Sequence, residues 1–315
     1  MNKPPIALLL ACSLLLPTTA WALTAQEAVD SGKPEQIIQW LQQDKHADIH
    51  SKISWEVGGE MNYSGSLLSW AIEKNNLDLV KLLIEKGAQI NDKAPDGWTA
   101  LSLAAEKGEL DFVKWLVTNG AHIQEKDKLG ATALMWAANS GRSEVVDYLL
   151  KQGAIVDDQD KTSWTPMMYA ASNDHLTSIQ ILIQAGASIQ HTDQFAMNPM
   201  MLAAINGHLE AVKIFVENGS NPDQCDHTGQ NALMWASEKG NMELVKFLLE
   251  QDANVNLADL TGMTALMFAT ANDRLKVVRY LLEQRADTKL KDRAGKTALD
   301  YAYETGNDEL IKLLS

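Results

Sequence analysis

Residues 96–123 read DGWTALSLAAEKGELDFVKWLVTNGAHI, and residues 129–156 read LGATALMWAANSGRSEVVDYLLKQGAIV. Laid one over the other, Gly97 falls on Gly130, Thr99 on Thr132, Gly108 on Gly141 and Gly120 on Gly153. The offset is 33 residues, and it recurs without insertion at Ser64, Gly97, Gly130, Ser163, Ala196, Gly229, Gly262 and Gly295, giving eight units. A fixed period of this size marks a repeat solenoid, in which each unit buries its apolar face on its neighbours.

Each unit reads as two short antiparallel helices and an extended, hairpin-like loop. The first helix carries small pairs such as Ala104-Ala105, Ala137-Ala138, Ala170-Ala171 and Ala203-Ala204, which let neighbouring helices approach closely. A residue tolerant of a left-handed backbone follows: Gly108, Gly141, Asp174, Gly207, Gly240, Asp273 or Gly306. The second helix is apolar at helical spacing, as in Val145, Val146, Leu149 and Leu150, and ends at a glycine such as Gly120, Gly153 or Gly186.

The motifs G-x-T-x-L-x-x-A-A and G-A-x-(I/V)-(N/D/Q), with the period, resemble the ankyrin repeat family over essentially all of residues 23–315. The resemblance implies an all-α ankyrin-repeat solenoid. Departures are visible. The family's Thr-Pro pair is complete at Thr165-Pro166, with Asn198-Pro199 as a variant and Thr-Ala usual elsewhere. The family's histidine in this motif is replaced by Met135, Met168, Met201, Met234 and Met267, which removes a local hydrogen-bonded clamp and leaves packing to fill the gap. Asp252 and Arg285 take the place of the glycine after the second helix. Arg285 in a left-handed conformation should cost about 1 kcal/mol.

The two ends differ from the middle. Residues 1–22 have the three parts of a secretory signal peptide: Lys3, the apolar run Ile6–Leu16, and Ala20-Trp21-Ala22 as the cleavage site. The run is too short for a permanent membrane span. Residues 23–63 are expected to form an irregular N-terminal capping repeat, with extra residues in the second-helix region and in the connection Ser51–Gly59. Residues 64–315 hold the eight repeats, the last a C-terminal cap in which Tyr303 replaces a small residue.

The net charge of −14 and pI near 4.9, with no basic run, exclude the electrostatic footprint of a nucleic-acid binder. They also argue against docking on anionic lipid. Two cysteines, Cys12 and Cys225, exclude a disulfide framework and a multi-cysteine metal site, and Cys225 alone would survive processing. His46 and His50 have the spacing of a helical zinc pair but align with an extended segment, so they read as loop histidines. His175 and His208, at the starts of second helices, read as structural. Asp157, Asp158 and Asp160 lack the pattern of a calcium loop. No nucleophile elbow, phosphate-binding loop, zinc-protease or dinucleotide motif occurs, so neither a catalytic residue, a cofactor nor a metal is expected.

The expected function is a non-catalytic scaffold, exported to the periplasm, that recognises a partner protein through loop tips and the concave groove. It could protect or neutralise that partner, as an immunity protein does. The alternatives are a secreted effector that binds a host protein and an enzyme with an unrecognised groove site. Two alignments place the partner site. Apolar residues at the tips are Tyr63, Trp98, Leu129, Trp164, Phe195, Met197, Leu260 and Met263. One position of the first helix carries Trp70, Leu103, Trp136, Tyr169, Leu202, Trp235, Phe268 and Tyr301, a stripe that reads, residue by residue, as semi-buried packing, so the neighbouring groove positions decide. The next groove positions are uncharged at Asn139-Ser140, Ser172-Asn173 and Ile205-Asn206, and Glu and Lys recur on both sides. An interface core depleted of charge points to Trp98, Trp136, Trp164, Tyr169, Phe195 and Ile205.

Overall fold

The computed structural model describes residues 25–30, 32–43, 47–50, 52–57 and 60–315. The signal-peptide segment, Cys12, His46 and the Gly58-Gly59 pair lie outside the described residues. The chain divides into two compact units, one ending at Ala88 and the other spanning Gln89–Ser315.

The first unit holds α1 (Ala25–Asp30), α2 (Pro34–Gln43), β1 (Ile53–Val57), β2 (Glu60–Gly65), α3 (Leu67–Glu73) and α4 (Leu77–Glu85). The strands are an addition to the all-helical expectation. The stretch read as a mere connection pairs antiparallel, Ile53 with Gly65 and Val57 with Glu60, with a register shift between Trp55 and Glu56. Gln26 ties α1 to this ladder: its amide donates to Ser54 O at 2.8 Å and accepts from Ser54 N at 2.9 Å. Val29, Ile37, Leu41, Ile53, Leu68, Trp70 and Leu83 form the interior.

The second unit is a run of helix pairs: α5 (Ala100–Lys107) with α6 (Leu110–Thr118), α7 (Ala133–Asn139) with α8 (Ser143–Lys151), and α9 (Pro166–Ser172) with α10 (Leu176–Gln184). There follow α11 (Pro199–Ile205) with α12 (Leu209–Glu217), α13 (Ala232–Lys239) with α14 (Met242–Glu250), α15 (Ala265–Ala271) with α16 (Leu275–Glu283), and α17 (Ala298–Thr305) with α18 (Asp308–Leu314). First helices stack on first helices through the alanine pairs, which are fully buried at Ala104, Ala137, Ala170, Ala203 and Ala236.

Local chemistry sets these short elements. Each first helix begins at an extended Thr or Asn whose side chain accepts the backbone N–H three residues on: Thr99, Thr132, Thr165, Asn198, Asn231, Thr264 and Thr297. Pro166 and Pro199 occupy the first helical turn, where no donor is lost. The methionines that replace the family's histidine are buried, and Met135 Sδ accepts Thr132 N–H at 3.4 Å, so packing is joined by a weak bond there. Every turn residue singled out in the second unit is left-handed, the non-glycines Asp174, Asp252, Asp273 and Arg285 included. Ser163 and Ala196 are left-handed too, at φ 65° and 61°.

Hydrogen bonds stitch repeat to repeat. At four second helices the opening residue reaches back to the first helix of the preceding repeat: Arg142 Nε to Glu106 O at 2.9 Å, His175 Nε2 to Asn139 O at 2.9 Å, His208 Nε2 to Ser172 O at 3.1 Å and Arg274 Nε to Glu238 O at 2.9 Å. This gives His175 and His208 the structural role expected of them. Hairpin tips are joined by backbone bonds, as from Lys161 N to Leu129 O at 2.9 Å and His227 N to Phe195 O at 2.9 Å.

A candidate recognition site of stacked aromatics

The site is built on an aspartate ladder that sequence reading passed over. Asp127, Asp160, Asp193, Asp226, Asp259 and Asp292 recur at the repeat period, at the base of six successive hairpins, with Ala94 in that place before Gly97. A short carboxylate can accept the backbone N–H groups two and four residues ahead and so close the turn. Asp160 Oδ1 accepts from Thr162 N at 2.7 Å and Trp164 N at 2.8 Å, and Asp193 Oδ1 from Phe195 N at 2.8 Å and Met197 N at 2.9 Å. The signal was present as an aspartate three residues before the left-handed position, D-x-x-G at Asp127, Asp226, Asp259 and Asp292, with Ser163 and Ala196 in place of the glycine after Asp160 and Asp193.

The second carboxylate oxygen holds the aromatic side chains. Trp136 Nε1–H donates to Asp127 Oδ2 at 2.9 Å, Tyr169 O–H to Asp160 Oδ2 at 2.7 Å, and Trp164 Nε1–H to Asp193 Oδ2 at 3.1 Å. Burial, and next the bond to Asp160, push the Tyr169 phenol well above its ordinary value, so it stays a donor across the physiological range.

The rings run together. Trp98 and Trp136 stack with centroids 4.5 Å apart and planes tilted by 39°. Trp136 lies 6.5 Å from Tyr169, and Trp164 meets Tyr169 edge-on at 5.2 Å. Both arrangements lie in the range favourable for aromatic pairs. All four rings are half-buried. Trp164 and Ile205 also pack against the buried cluster Met168, Met197, Met201 and Leu202. Phe195, two residues past the Asp193 that holds Trp164, is 60% exposed. Of the six residues drawn from sequence, Trp98, Trp136, Tyr169 and Trp164 form a run of neighbouring rings, Ile205 shares the methionine cluster with Trp164, and Phe195 stands exposed at the tip that Asp193 closes.

Parts of the two alignments sort differently. Leu129 and Leu260 are exposed at their tips, whereas Met197 is buried, drawn into the methionine cluster while Asp193 holds its N–H. In the stripe, Trp70, Leu103, Leu202 and Phe268 are buried and serve packing, whereas Trp136, Tyr169, Trp235 and Tyr301 keep partial access. The side chain of Tyr63 lies outside the described residues. The uncharged edge is internally bonded: Asn173 Nδ2 donates to Asn139 Oδ1 at 3.2 Å, and Asn206 Nδ2 to Ser172 O at 3.2 Å.

These features define a repeat scaffold with a strip of partly open rings, and comparison with known proteins gives its family. A family model described as ankyrin repeats matches residues 25–127, 119–193, 186–259 and 252–315, and the chain belongs to the ankyrin repeat family. Ankyrin repeats are generally protein–protein interaction scaffolds, typically without catalytic activity. The crystal structure of the human ASB11 ankyrin repeat domain superposes with a TM-score of 0.64 at 25% identity, covering 69% of this chain and 98% of that one. No significant match to a curated protein was found. Among the described residues, no helix is long and apolar enough to cross a membrane.

Proposed function

We propose that this protein is a non-catalytic scaffold, exported to the periplasm after cleavage behind Ala22, that captures a partner protein on the strip from Trp98 to Ile205. Protection or neutralisation of that partner, in the manner of an immunity protein, is the role that suits export of a bare scaffold. The observation that carries the reading is the aromatic strip itself. Three rings, Trp136, Tyr169 and Trp164, are held in fixed orientation by carboxylates, and Trp98 stacks on Trp136, beside an uncharged edge; Phe195, at the tip that Asp193 closes, is 60% exposed. Preorganised aromatics around a charge-poor centre are what an interface hot spot requires.

The test must separate recognition from folding. Trp164 both packs on the methionine cluster and satisfies Asp193, so truncating it to alanine would unsettle the fold as well as the surface. Phe195→Ala combined with Trp164→Phe keeps a ring on the cluster. The double variant is expected to retain the wild-type circular dichroism and to lose at least about 2 kcal/mol in capture of the partner from a periplasmic extract. Unchanged capture would remove the strip from the function. N-terminal sequencing of the exported protein should start at Leu23; an uncleaved chain, or one beginning at a lipidated Cys12, would contradict the export reading.

A further inference from the structure

Two lysines of the chain lie over aromatic rings of the stripe. Lys74 Nζ is 5.6 Å from the Trp70 ring centroid, and Lys296 Nζ is 5.3 Å from that of Tyr301. Trp70 and Tyr301 occupy the same repeat position as Trp136 and Tyr169. A ring at that position can take a cation at its face, as it does in the repeats of Trp70, otherwise buried, and of Tyr301, where Lys296 is also paired with Glu304 at 2.6 Å; beside Trp235 the equivalent Lys239 pairs with Glu238. In the central repeats these lysines are replaced. Ser140 and Asn173 stand where Lys74 stands, and Ala131 and Trp164 where Lys296 stands.

The surroundings of the central rings favour an outside cation. Between Lys151 and Lys213 the sequence has one basic residue, Lys161, against Asp157, Asp158, Asp160, Asp174, Asp193 and Glu210; Asp158 is paired with Lys126 and Glu210 with Lys213, which leaves Asp157, Asp160, Asp174 and Asp193 without a lysine or arginine partner among the ion pairs of the described residues. The ring donors of Trp136, Tyr169 and Trp164 are bonded to carboxylates. A donor group bonded to an anion is polarised, which enriches the ring face in electron density and strengthens its attraction for a cation. Trp136 and Tyr169 are 6.5 Å apart. Alternate side chains of an extended peptide are separated by about 6.5–7 Å.

We infer that the occupant of the strip is an extended protein segment bearing Arg or Lys at alternate positions, its cations seated on Trp136, Tyr169 and their ring neighbours. This rests on the partner-capture reading above and names the chemistry of the captured surface. A polyanion is repelled by the same carboxylates.

The probe is a fluorescein-labelled octapeptide of alternating Arg and Ser, with a twin in which citrulline replaces each Arg, titrated into the full processed chain. Citrulline keeps the shape and removes the charge. The Arg peptide should bind saturably and its twin at least about tenfold more weakly. Protein produced with mono-, di- and trifluorinated tryptophan should bind progressively more weakly, since fluorine withdraws density from the ring face without altering its packing shape greatly. Equal binding of the two peptides overturns the inference. So does an affinity indifferent to fluorination that falls only when Asp157→Asn and Asp158→Asn remove nearby charge. If the peptides fail while Phe195→Ala with Trp164→Phe still abolishes capture, the basic-segment inference alone is lost; if capture also survives, both readings fall.

Discussion

At the residue scale, the left-handed positions dictate most of the local geometry. Arg285 adopts φ 64° at the end of α16, where the other repeats mostly have glycine. Glycines in the same place, Gly120, Gly153, Gly186 and Gly219, have open space around the missing Cβ, so strain and not crowding is the cost of a side chain there. Arg285→Gly is therefore expected to stabilise the protein by about 1 kcal/mol in urea unfolding. Gly207 is the opposite case. Its φ is 78°, and a Cβ would lie 2.7 Å from Asn241 Nδ2, which donates to Gly207 O at 3.2 Å. Gly207→Val must strain the turn and push aside a bond between repeats, and should cost at least about 1–2 kcal/mol by the same measurement. These positions were legible in the sequence because a 33-residue register aligns every turn with seven others. The ladder's Asp127, Asp160 and Asp193 were equally periodic, but whether each outer oxygen takes its own repeat's ring or the preceding hairpin's is decided in space: Asp127 takes Trp136, whereas Asp193 takes Trp164.

At the element scale, the last repeat carries a titratable clamp. Tyr301 O–H donates to Asp292 Oδ2 at 2.6 Å, joining α17 to its hairpin. That bond, followed by the Lys296 backbone N–H, holds the Asp292 carboxyl below its usual range. A depressed carboxyl favours the folded state above its unfolded pKa of about 3.9, and the benefit is lost as pH falls through the lower folded value. Burial, then the bond to Asp292, raise the Tyr301 phenol to about 12. A raised phenol favours the folded state below its unfolded pKa of about 10, and that benefit is lost as pH rises towards the folded value. Hydrogen-exchange protection in α17 and α18, taken relative to the intrinsic base-catalysed rate, should fall between those alkaline limits in the wild type, and Tyr301→Phe should remove that fall. An identical profile in the variant would show that the clamp does not govern the repeat. The N-terminal strands were a different kind of omission. Ile53, Trp55 and Val57 alternate with polar residues before Gly58-Gly59, which is the sequence pattern of a hairpin. The helical register of the following repeats masked it.

At the scale of the whole molecule, the proposed recognition surface is set by which rings the repeats leave partly open. Sequence alone could place Trp98, Trp136, Trp164, Tyr169, Phe195 and Ile205 on aligned positions. It could not tell Met197, buried in a cluster, from Phe195, exposed at the same tip, because both flank the left-handed Ala196. The direct measurement is site-specific photo-crosslinking in cells that produce the protein. A benzoylphenylalanine in place of Phe195 should capture the partner, whereas the same probe in place of Gln180, exposed on the second helix α10, should not. Crosslinks from position 180 with none from position 195 would contradict the assignment of the aromatic strip as the recognition surface.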